Sequence, residues 1–158
     1  MTYYDEIAEG YDELHGSEQL EKYRVLESLG IIGPDDTILD VGHGTGLITQ
    51  VFSNDITGLD ASERLLEQST SKTIFHDFNE PLPFDDASFD WVVSFTAIHH
   101  ARDPKAALDE MVRVARRGVG VSILRAIPSY EGLIPLFSGW ERHRAGADEL
   151  FIRRIVSS

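Results

Sequence analysis

The sequence predicts an α/β fold built on a mostly parallel, doubly wound sheet. Two observations indicate it: short apolar runs alternate with helix-like segments, and the first apolar run ends in a cluster of glycines that opens the next segment. A chain of 158 residues has room for one compact domain of this kind. The five predicted strands are residues 37–41, 55–60, 72–76, 91–95 and 119–126.

The segments between the strands carry the start and stop signals of helices. Gly30 closes the first amphipathic segment, Ser62 is a suitable N-cap, and Pro104 stands in the first turn of the last helix. A proline-broken loop separates the third and fourth strands. The predicted helices are residues 19–29, 47–52, 62–68 and 104–116.

The chain after the fifth strand departs from this alternation. Residues 127–158 can supply about one helix and one strand, the latter over residues 149–156. We therefore expect the sheet to be shortened at its C-terminal end and to lack an edge or a substrate wall.

The charge of the chain is strongly negative and unevenly distributed. The formal net charge is −13; residues 1–100 carry 4 basic and 20 acidic side chains, whereas residues 101–158 carry 10 and 7. An acidic body repels phosphate backbones, so unaided binding to nucleic acid is disfavoured. The arginine excess of the C-terminal part is consistent either with solvated helix ends or with a docking edge for an acidic partner.

Composition also excludes several kinds of site and location. The chain has no cysteine, so disulfides and thiolate metal sites are excluded, and no spacing of His, Asp and Glu indicates another metal site. No apolar run reaches the length of a transmembrane helix, about 18 residues. The acidic N-terminal stretch lacks the basic and apolar regions of an export signal. We expect a cytoplasmic protein that does not enter a membrane.

The stretch ILDVGHGTGLI places Gly42, Gly44 and Gly46 directly after the first strand. Such a loop lies at the carboxyl edge of a parallel sheet, and glycines let a ligand approach the backbone closely. A dinucleotide fingerprint would require its third glycine where Leu47 stands, and a P-loop would require a following Gly-Lys-Ser/Thr. The loop therefore predicts a ligand site, excludes a P-loop and disfavours a dinucleotide.

Five segments, in the correct order, resemble the class I S-adenosylmethionine-dependent methyltransferases. Residues 40–46 (DVGHGTG) resemble motif I of that family, residues 58–62 (GLDAS) the acidic end of its second strand, and residues 76–104 its stretch through strand four. Residues 107–116 resemble the helix that follows, and residues 3–15 the N-terminal lid of the ubiquinone-biosynthesis-like branch. The resemblance covers most of the chain and implies a Rossmann-like fold with S-adenosylmethionine as cofactor.

The resemblance implies roles for individual residues. Asp40 suits the cationic methionyl end of the cofactor. Asp60, 18 residues after Gly42, is placed to accept hydrogen bonds from ribose hydroxyls. Asp77 is assigned to the adenine amino group, and the backbone of Phe78 to a ring nitrogen. The full set of implied cofactor-binding residues is Tyr11, Asp40, Gly42, His43, Gly44, Gly46, Asp60, Ala61, Asp77, Phe78, Ser94, Phe95 and Thr96.

Several of these residues have structural alternatives. Asp40 and Asp60 are also suited to capping short helices, and Asp77 to satisfying loop amides. Tyr11, expected to fold over the site as part of the lid, is equally suited to core packing. His43 stands where the family carries a small residue, so it points either to solvent or to the methionyl end.

Methyl transfer does not require a particular catalytic side chain. The sulfonium activates the methyl carbon, so holding nucleophile, methyl and sulfur in line supplies most of the acceleration. A general base helps only a protonated acceptor, and His99 or His100 is the candidate. The structural alternative, that the two histidines cap the turn after strand four, is favoured.

The resemblance leads to one main function and two alternatives. We expect a methyltransferase whose acceptor is a small molecule or is presented by a partner. A cofactor-binding, non-catalytic scaffold is the second hypothesis, and a nicotinamide dehydrogenase the third. We expect one domain with a lid and helix (residues 1–30), a cofactor-binding core (37–126) and a shortened C-terminal element (127–158). A second copy or a small activator protein would cover the missing edge.

Overall fold

The computed structural model describes residues 3–155, with side chains from residue 16 onward. In this part of the chain seven strands form one sheet in the order β3-β2-β1-β4-β5-β7-β6. Neighbours among the first five strands pair in parallel, whereas β7 is antiparallel to both β5 and β6. The strands are β1 Ile38–Val41, β2 Ile56–Asp60, β3 Lys72–Phe75, β4 Phe89–Phe95, β5 Ala115–Leu124, β6 Glu141–Ala145 and β7 Asp148–Arg154.

Helices cover both faces of the sheet. One core cluster includes Leu108 and Met111 of the helix before β5, and a second includes Tyr23 and Leu26 of the N-terminal helix. Two cores on opposite faces of a mostly parallel sheet confirm the predicted α/β, doubly wound fold. The helices are α1 Tyr3–Ser28, α2 Glu63–Leu66, α3 Pro104–Val114 and α4 Tyr130–Leu133, with 3-10 turns at Leu47–Gln50, Ile98–His100 and Ile134–Phe137.

Local signals explain where the middle elements begin. Ser62 accepts a hydrogen bond from the backbone N–H of Leu65 and caps α2 as predicted. Asp103 caps α3 by accepting from the N–H of Ala106, and Pro104 occupies the first turn. The segment after the glycine loop is a 3-10 turn rather than the predicted helix over residues 47–52.

The prediction of a missing sheet edge is wrong. Residues 141–154 form two strands, β6 and β7, joined by a turn in which Gly146 has φ +59°. The edge strand β6 reads ERHRA, so its charged side chains conceal it from a search for apolar runs, as is typical of edge strands. The shortening lies instead in the connection between β5 and β6, where α4 and a 3-10 turn have four residues each.

The N-terminal helix is also longer than its amphipathic pattern, since it begins at Tyr3 rather than near residue 19. Within the described residues, no helix is long and apolar enough to cross a membrane.

Candidate functional site

The carboxyl ends of β1, β2 and β4 open onto a cavity of about 310 Å³. Its volume lies at the lower end of the range of small-molecule sites, roughly 300–1,000 Å³. The position is the one expected in an open α/β sheet, where the connections of adjacent strands leave in different directions. The lining residues are Gly42, Gly44, Leu59, Asp60, Ala61, Leu65, His76, Asp77, Phe78, Asn79, Phe95, Thr96, Ala97 and His100.

The glycine loop forms the cavity floor between β1 and β2. The N–H groups of Gly42 and His43 both donate to the carbonyl of Leu59, at 2.8 and 3.0 Å. Gly42 and Gly44 have φ of +81° and +59°, which side chains disfavour. A Cβ at Gly42 would lie 2.7 Å from that of Ala97, so glycine lets the loop pack closely against the segment after β4.

Asp60 stands at the end of β2 with both carboxylate oxygens engaged. Oδ2 accepts from the N–H of Gly44 at 2.8 Å and Oδ1 from the N–H of Ser62 at 3.0 Å. Burial raises the pKa of this carboxyl, the two backbone donors lower it, and nearby Asp40 raises it further. Each oxygen retains acceptor capacity, so the carboxylate can hold the loop and still accept from a ligand.

His43 faces neither solvent nor the cavity, which corrects both predicted orientations. Its fully buried ring has Nδ1 2.9 Å from Asp40 Oδ2, and Nε2 2.7 Å from Ser69 Oγ and 3.0 Å from Ser71 Oγ. Gly58 makes room for the ring, because a Cβ there would lie 2.2 Å from two ring atoms. The imidazole therefore ties the glycine loop to the connection between β2 and β3.

Two other predicted residues lie behind the cavity wall. The Asp40 carboxylate is fully buried, and its Oδ1 has no hydrogen-bond partner among the described residues. Gly46 does not line the cavity; a Cβ there would lie 2.6 Å from Ser69 Oγ and 2.9 Å from His43 Nε2. The third glycine thus serves the buried histidine rather than a ligand.

An exposed rim follows β3. Asp77 Oδ1 accepts from the backbone and side-chain N–H groups of Asn79, at 2.9 and 2.8 Å. The backbone bond from Asn79 is the largest cause of the lowered pKa of Asp77. His76 Nε2 lies 3.0 Å from the carbonyl of Pro81, and Phe78 completes the rim. The carboxylate stays ionised beside an apolar ring, an arrangement suited to a flat polar group such as a base.

The end of β4 forms the opposite wall. Phe95 stacks on Tyr23 of α1 with ring centroids 4.6 Å apart. Thr96 has φ +55°, which is rare for a β-branched residue. Ser94 lies behind this wall, fully buried, and its Oγ has no hydrogen-bond partner within the described residues.

The two histidines after β4 differ in position. Of the two predicted candidates for a base, His100 lines the cavity and His99 does not. Burial lowers the pKa of both imidazoles, and the neighbouring His100 lowers that of His99 further against an opposing effect of Asp148. Both rings are therefore neutral at neutral pH, a state in which an imidazole can accept a proton.

The structure thus brings together eight of the thirteen residues implied by the resemblance. They are Gly42, Gly44, Asp60, Ala61, Asp77, Phe78, Phe95 and Thr96. Asp40, His43, Gly46 and Ser94 lie outside the lining, and the side chain of Tyr11 lies outside the described residues. The sequence analysis named His100 as a candidate base, and the structure places it in the lining. It missed Leu59, Leu65, His76, Asn79 and Ala97; each is next to a motif residue or on the apolar face of α2, but spacing alone does not show which way it points.

No group of three or more His, Asp or Glu side chains that could hold a metal ion occurs among the described residues.

Comparison with known proteins identifies the family of the chain. Residues 39–123, more than half of the chain, match the model of a methyltransferase domain family. The demethylmenaquinone methyltransferase of Staphylococcus epidermidis is 30% identical over 153 residues, covering 86% of this chain and 62% of that protein. The chain spans 58% and 46% of the length of two uncharacterised proteins of Methanocaldococcus jannaschii that it also matches.

Two solved structures share the fold. An S-adenosylmethionine-dependent methyltransferase from Aquifex aeolicus superposes with a TM-score of 0.74 at 19% identity, covering 96% of this chain and 98% of that one. A chain in the complex between the Haloferax volcanii Trm112 methyltransferase activator and a methyltransferase gives a TM-score of 0.65 at 25% identity, covering 78% and 61%.

Proposed function

The chain belongs to the class I S-adenosylmethionine-dependent methyltransferases, and from this premise we propose that it transfers the cofactor's methyl group to an acceptor by in-line displacement. One observation carries the proposal: the glycine loop after β1 and the carboxylate of Asp60 after β2 share one cavity. Bound S-adenosylmethionine supplies an activated methyl group on a positively charged sulfur.

The residues of the cavity fit this cofactor. Two positive-φ glycines leave backbone accessible, and Asp60 offers acceptors for the two ribose hydroxyls. Asp77 and Phe78 form a rim suited to adenine. Asp40 Oδ1 and Ser94 Oγ have no hydrogen-bond partner among the described residues and lie behind the lining, near the carboxyl ends of β1 and β4. They would make this side of the cavity favourable for the cationic methionyl end.

Catalysis then depends mainly on placement. Thr96, Phe95 and the glycine loop bind and orient the cofactor so that nucleophile, methyl and sulfur can lie in line. If the acceptor must lose a proton, His100 is a better candidate for the base than His99, because only His100 lines the cavity.

Turnover tests the proposal directly. Purified protein is incubated with S-adenosylmethionine and pools of candidate acceptors, and products are screened by mass spectrometry for the gain of one methyl group. We expect accumulation of S-adenosylhomocysteine together with a methylated product. Gly44→Arg, which fills the cavity, serves as the inactive control; methylation that survives this substitution would assign the activity to a contaminant.

Asp60→Asn tests the assigned ribose site. The amide keeps one acceptor oxygen for the loop but loses the charge and one acceptor. We expect cofactor binding to weaken by about 1–3 kcal/mol, the usual cost of an unsatisfied buried polar group. Calorimetric titration gives the affinity, and an unchanged value would show that the ribose lies elsewhere.

The scaffold alternative loses its main support, because β6 and β7 complete the sheet that the sequence predicted to be truncated. A partner remains a proposal on different grounds: one structural relative was solved in complex with an activator protein. We propose that a small activator or a second copy regulates this chain, rather than repairing its sheet. Light scattering on the purified chain tests it, and a fully active monomer would contradict it.

We also propose that residues 1–158 act as one catalytic domain in which residues 1–30 close over the cavity. The acceptor is a small molecule or is presented by a partner, and the protein works in the cytoplasm. The long α1, which packs Tyr23 on Phe95, supports a role for the N-terminal segment at the site. Cell fractionation with a tagged chain tests the location.

A further inference from the structure

A buried ion pair lies directly behind the β4 wall of the cavity. Lys22 of α1 and Asp148, the first residue of β7, have Nζ and Oδ1 3.0 Å apart, with side chains 4% and 0% exposed. The hydrogen bonds of the ammonium are directed elsewhere, to Gln19 Oε1 at 2.8 Å and to Thr96 Oγ1 at 3.1 Å. The pair therefore joins three elements: α1, the C-terminal hairpin and the end of β4.

Thr96 is the point at which this network reaches the cavity. Its hydroxyl donates to Asp148 Oδ2 at 2.7 Å and accepts from Lys22. Its backbone N–H donates to the carbonyl of Ser122 at 3.0 Å and to Ser122 Oγ at 3.1 Å, and Ser122 Oγ in turn donates to Asp148 Oδ2. A residue that lines the cavity is thus fixed at both its side chain and its backbone.

The buried ion pair contributes little net free energy to the stability of the fold. Two charges are taken out of water, and an apolar pair of similar volume would often give equal or greater stability. It also maintains a threonine at φ +55°, a conformation that persists only where the surroundings impose it. Strained backbone of this kind is concentrated at functional sites, and here it occurs at the residue that joins the ion pair to the cavity.

We propose that Lys22 and Asp148 are positioning residues of the cofactor cavity, which hold Thr96 in its left-handed conformation and so set the wall against which the cofactor binds. They act through Thr96 rather than by touching the cofactor. The inference deepens the proposed function and rests on it for its binding readout, whereas the backbone of Thr96 can be monitored without any ligand.

The first test separates positioning from stability. Lys22→Met leaves Asp148 buried and unpaired, so its melting temperature should fall markedly. Lys22→Met/Asp148→Leu removes both charges and should recover most of that loss. The double variant should nevertheless bind S-adenosylhomocysteine about tenfold more weakly than the wild type, because a displaced wall degrades alignment. Recovery of both stability and affinity would overturn the proposal.

Thr96→Gly provides a second variant that is expected to fold whatever the double variant does, because glycine adopts φ +55° without strain. It removes the hydroxyl that Lys22 and Asp148 hold. We expect affinity for S-adenosylhomocysteine to fall by about tenfold here as well. Wild-type affinity in Thr96→Gly would show that the network does not position the wall.

Ile56→Ala is the matched control for lost stability. Ile56 is buried at the start of β2, away from the carboxyl ends of the strands, and its truncation leaves a core cavity. It should lower the melting temperature without changing the affinity. An equal loss of affinity in this control would make the effect one of stability alone and overturn the proposal.

Amide hydrogen exchange of the unliganded protein gives a readout independent of the cofactor. The Thr96 amide should exchange faster in Lys22→Met/Asp148→Leu than in the wild type and the Ile56→Ala control. Unchanged exchange would contradict the positioning role. If the wild type fails to bind S-adenosylhomocysteine while the exchange result holds, the proposed cofactor is wrong and the network is still confirmed.

Discussion

The single residue that most distinguishes this glycine loop is His43. Its buried ring bonds to Asp40 on one side and to Ser69 and Ser71 on the other. Small residues are therefore required wherever the ring passes, which accounts for Gly58 in the middle of β2. The imidazole of His43 holds the loop from behind the cavity wall and does not line the cavity. A substitution of His43 should therefore change the stability of the fold before it changes ligand binding.

Gly58→Ala tests this packing. A methyl group at this position would overlap the ring of His43, which overpacks a site with no room to expand. We expect a loss of stability of about 1–3 kcal/mol, measured by urea unfolding. The double variant His43→Ala/Gly58→Ala should be more stable than His43→Ala alone, because the added methyl group fills part of the space that the ring leaves. Unchanged stability in Gly58→Ala would mean that the His43 ring can adopt another position, and would contradict this packing.

The histidines after β4 make stability depend on pH. Burial holds the pKa of His99 and His100 below 6.5, so the unfolded chain takes up protons more readily than the folded one. The stability that the neutral imidazoles allow is fully present above pH 6.5, and it is lost as the pH falls through the pKa values that the two histidines have in the folded state. We expect stability to decline from pH 7.5 to 5.5 and the decline to be shallower in His99→Gln/His100→Gln. Equal slopes in urea titrations would contradict this assignment.

Among the elements, α3 holds the loop that follows the cavity rim through Arg113. Its guanidinium donates to the carbonyls of Leu82 and Phe84, at 3.0 and 2.9 Å, and pairs with Glu110. Glu110 in turn accepts from the N–H of Leu82 at 2.8 Å. One side-chain pair thereby organises a loop that has no ladder hydrogen bonds of its own.

Arg113→Met is expected to release this loop while leaving the sheet intact, because methionine keeps the apolar stem but removes the donors. Amide exchange should accelerate at Leu82 and remain unchanged in β1 and β4. Lys105→Met, which breaks an exposed ion pair with Asp109, is the control. It should change amide exchange neither at Leu82 nor in the two strands. Uniform acceleration throughout the sheet would indicate global destabilisation instead.

The elements differ in how far the sequence predicts them. β1 and the glycine loop follow from a fully buried apolar run and a specific motif, and both lie where expected. β6 does not, because an edge strand of charged residues has no apolar period. The contacts of His43 with Ser69 and Ser71, and of Lys22 with Asp148, join residues far apart in the chain, whose proximity is set by the fold and not by any local pattern.

At the scale of the whole molecule, charge and topology agree with a ligand that is not a polyanion. The chain is strongly acidic, and the cavity carries Asp60 and Asp77 rather than a cluster of basic side chains. A cationic sulfonium attached to a nucleoside suits such a site, whereas the pyrophosphate of a dinucleotide does not. In the described part of the chain, β1, β2 and β4 of this seven-stranded sheet frame the cavity at their carboxyl ends.

The central claim is that this cavity binds S-adenosylmethionine and not a dinucleotide. Isothermal titration calorimetry with S-adenosylhomocysteine and with NAD, on the wild type and on Gly44→Arg, tests it most directly. We expect saturable, one-to-one binding of S-adenosylhomocysteine to the wild type alone and no binding of NAD. Binding of NAD, or binding of S-adenosylhomocysteine that Gly44→Arg leaves intact, would contradict it.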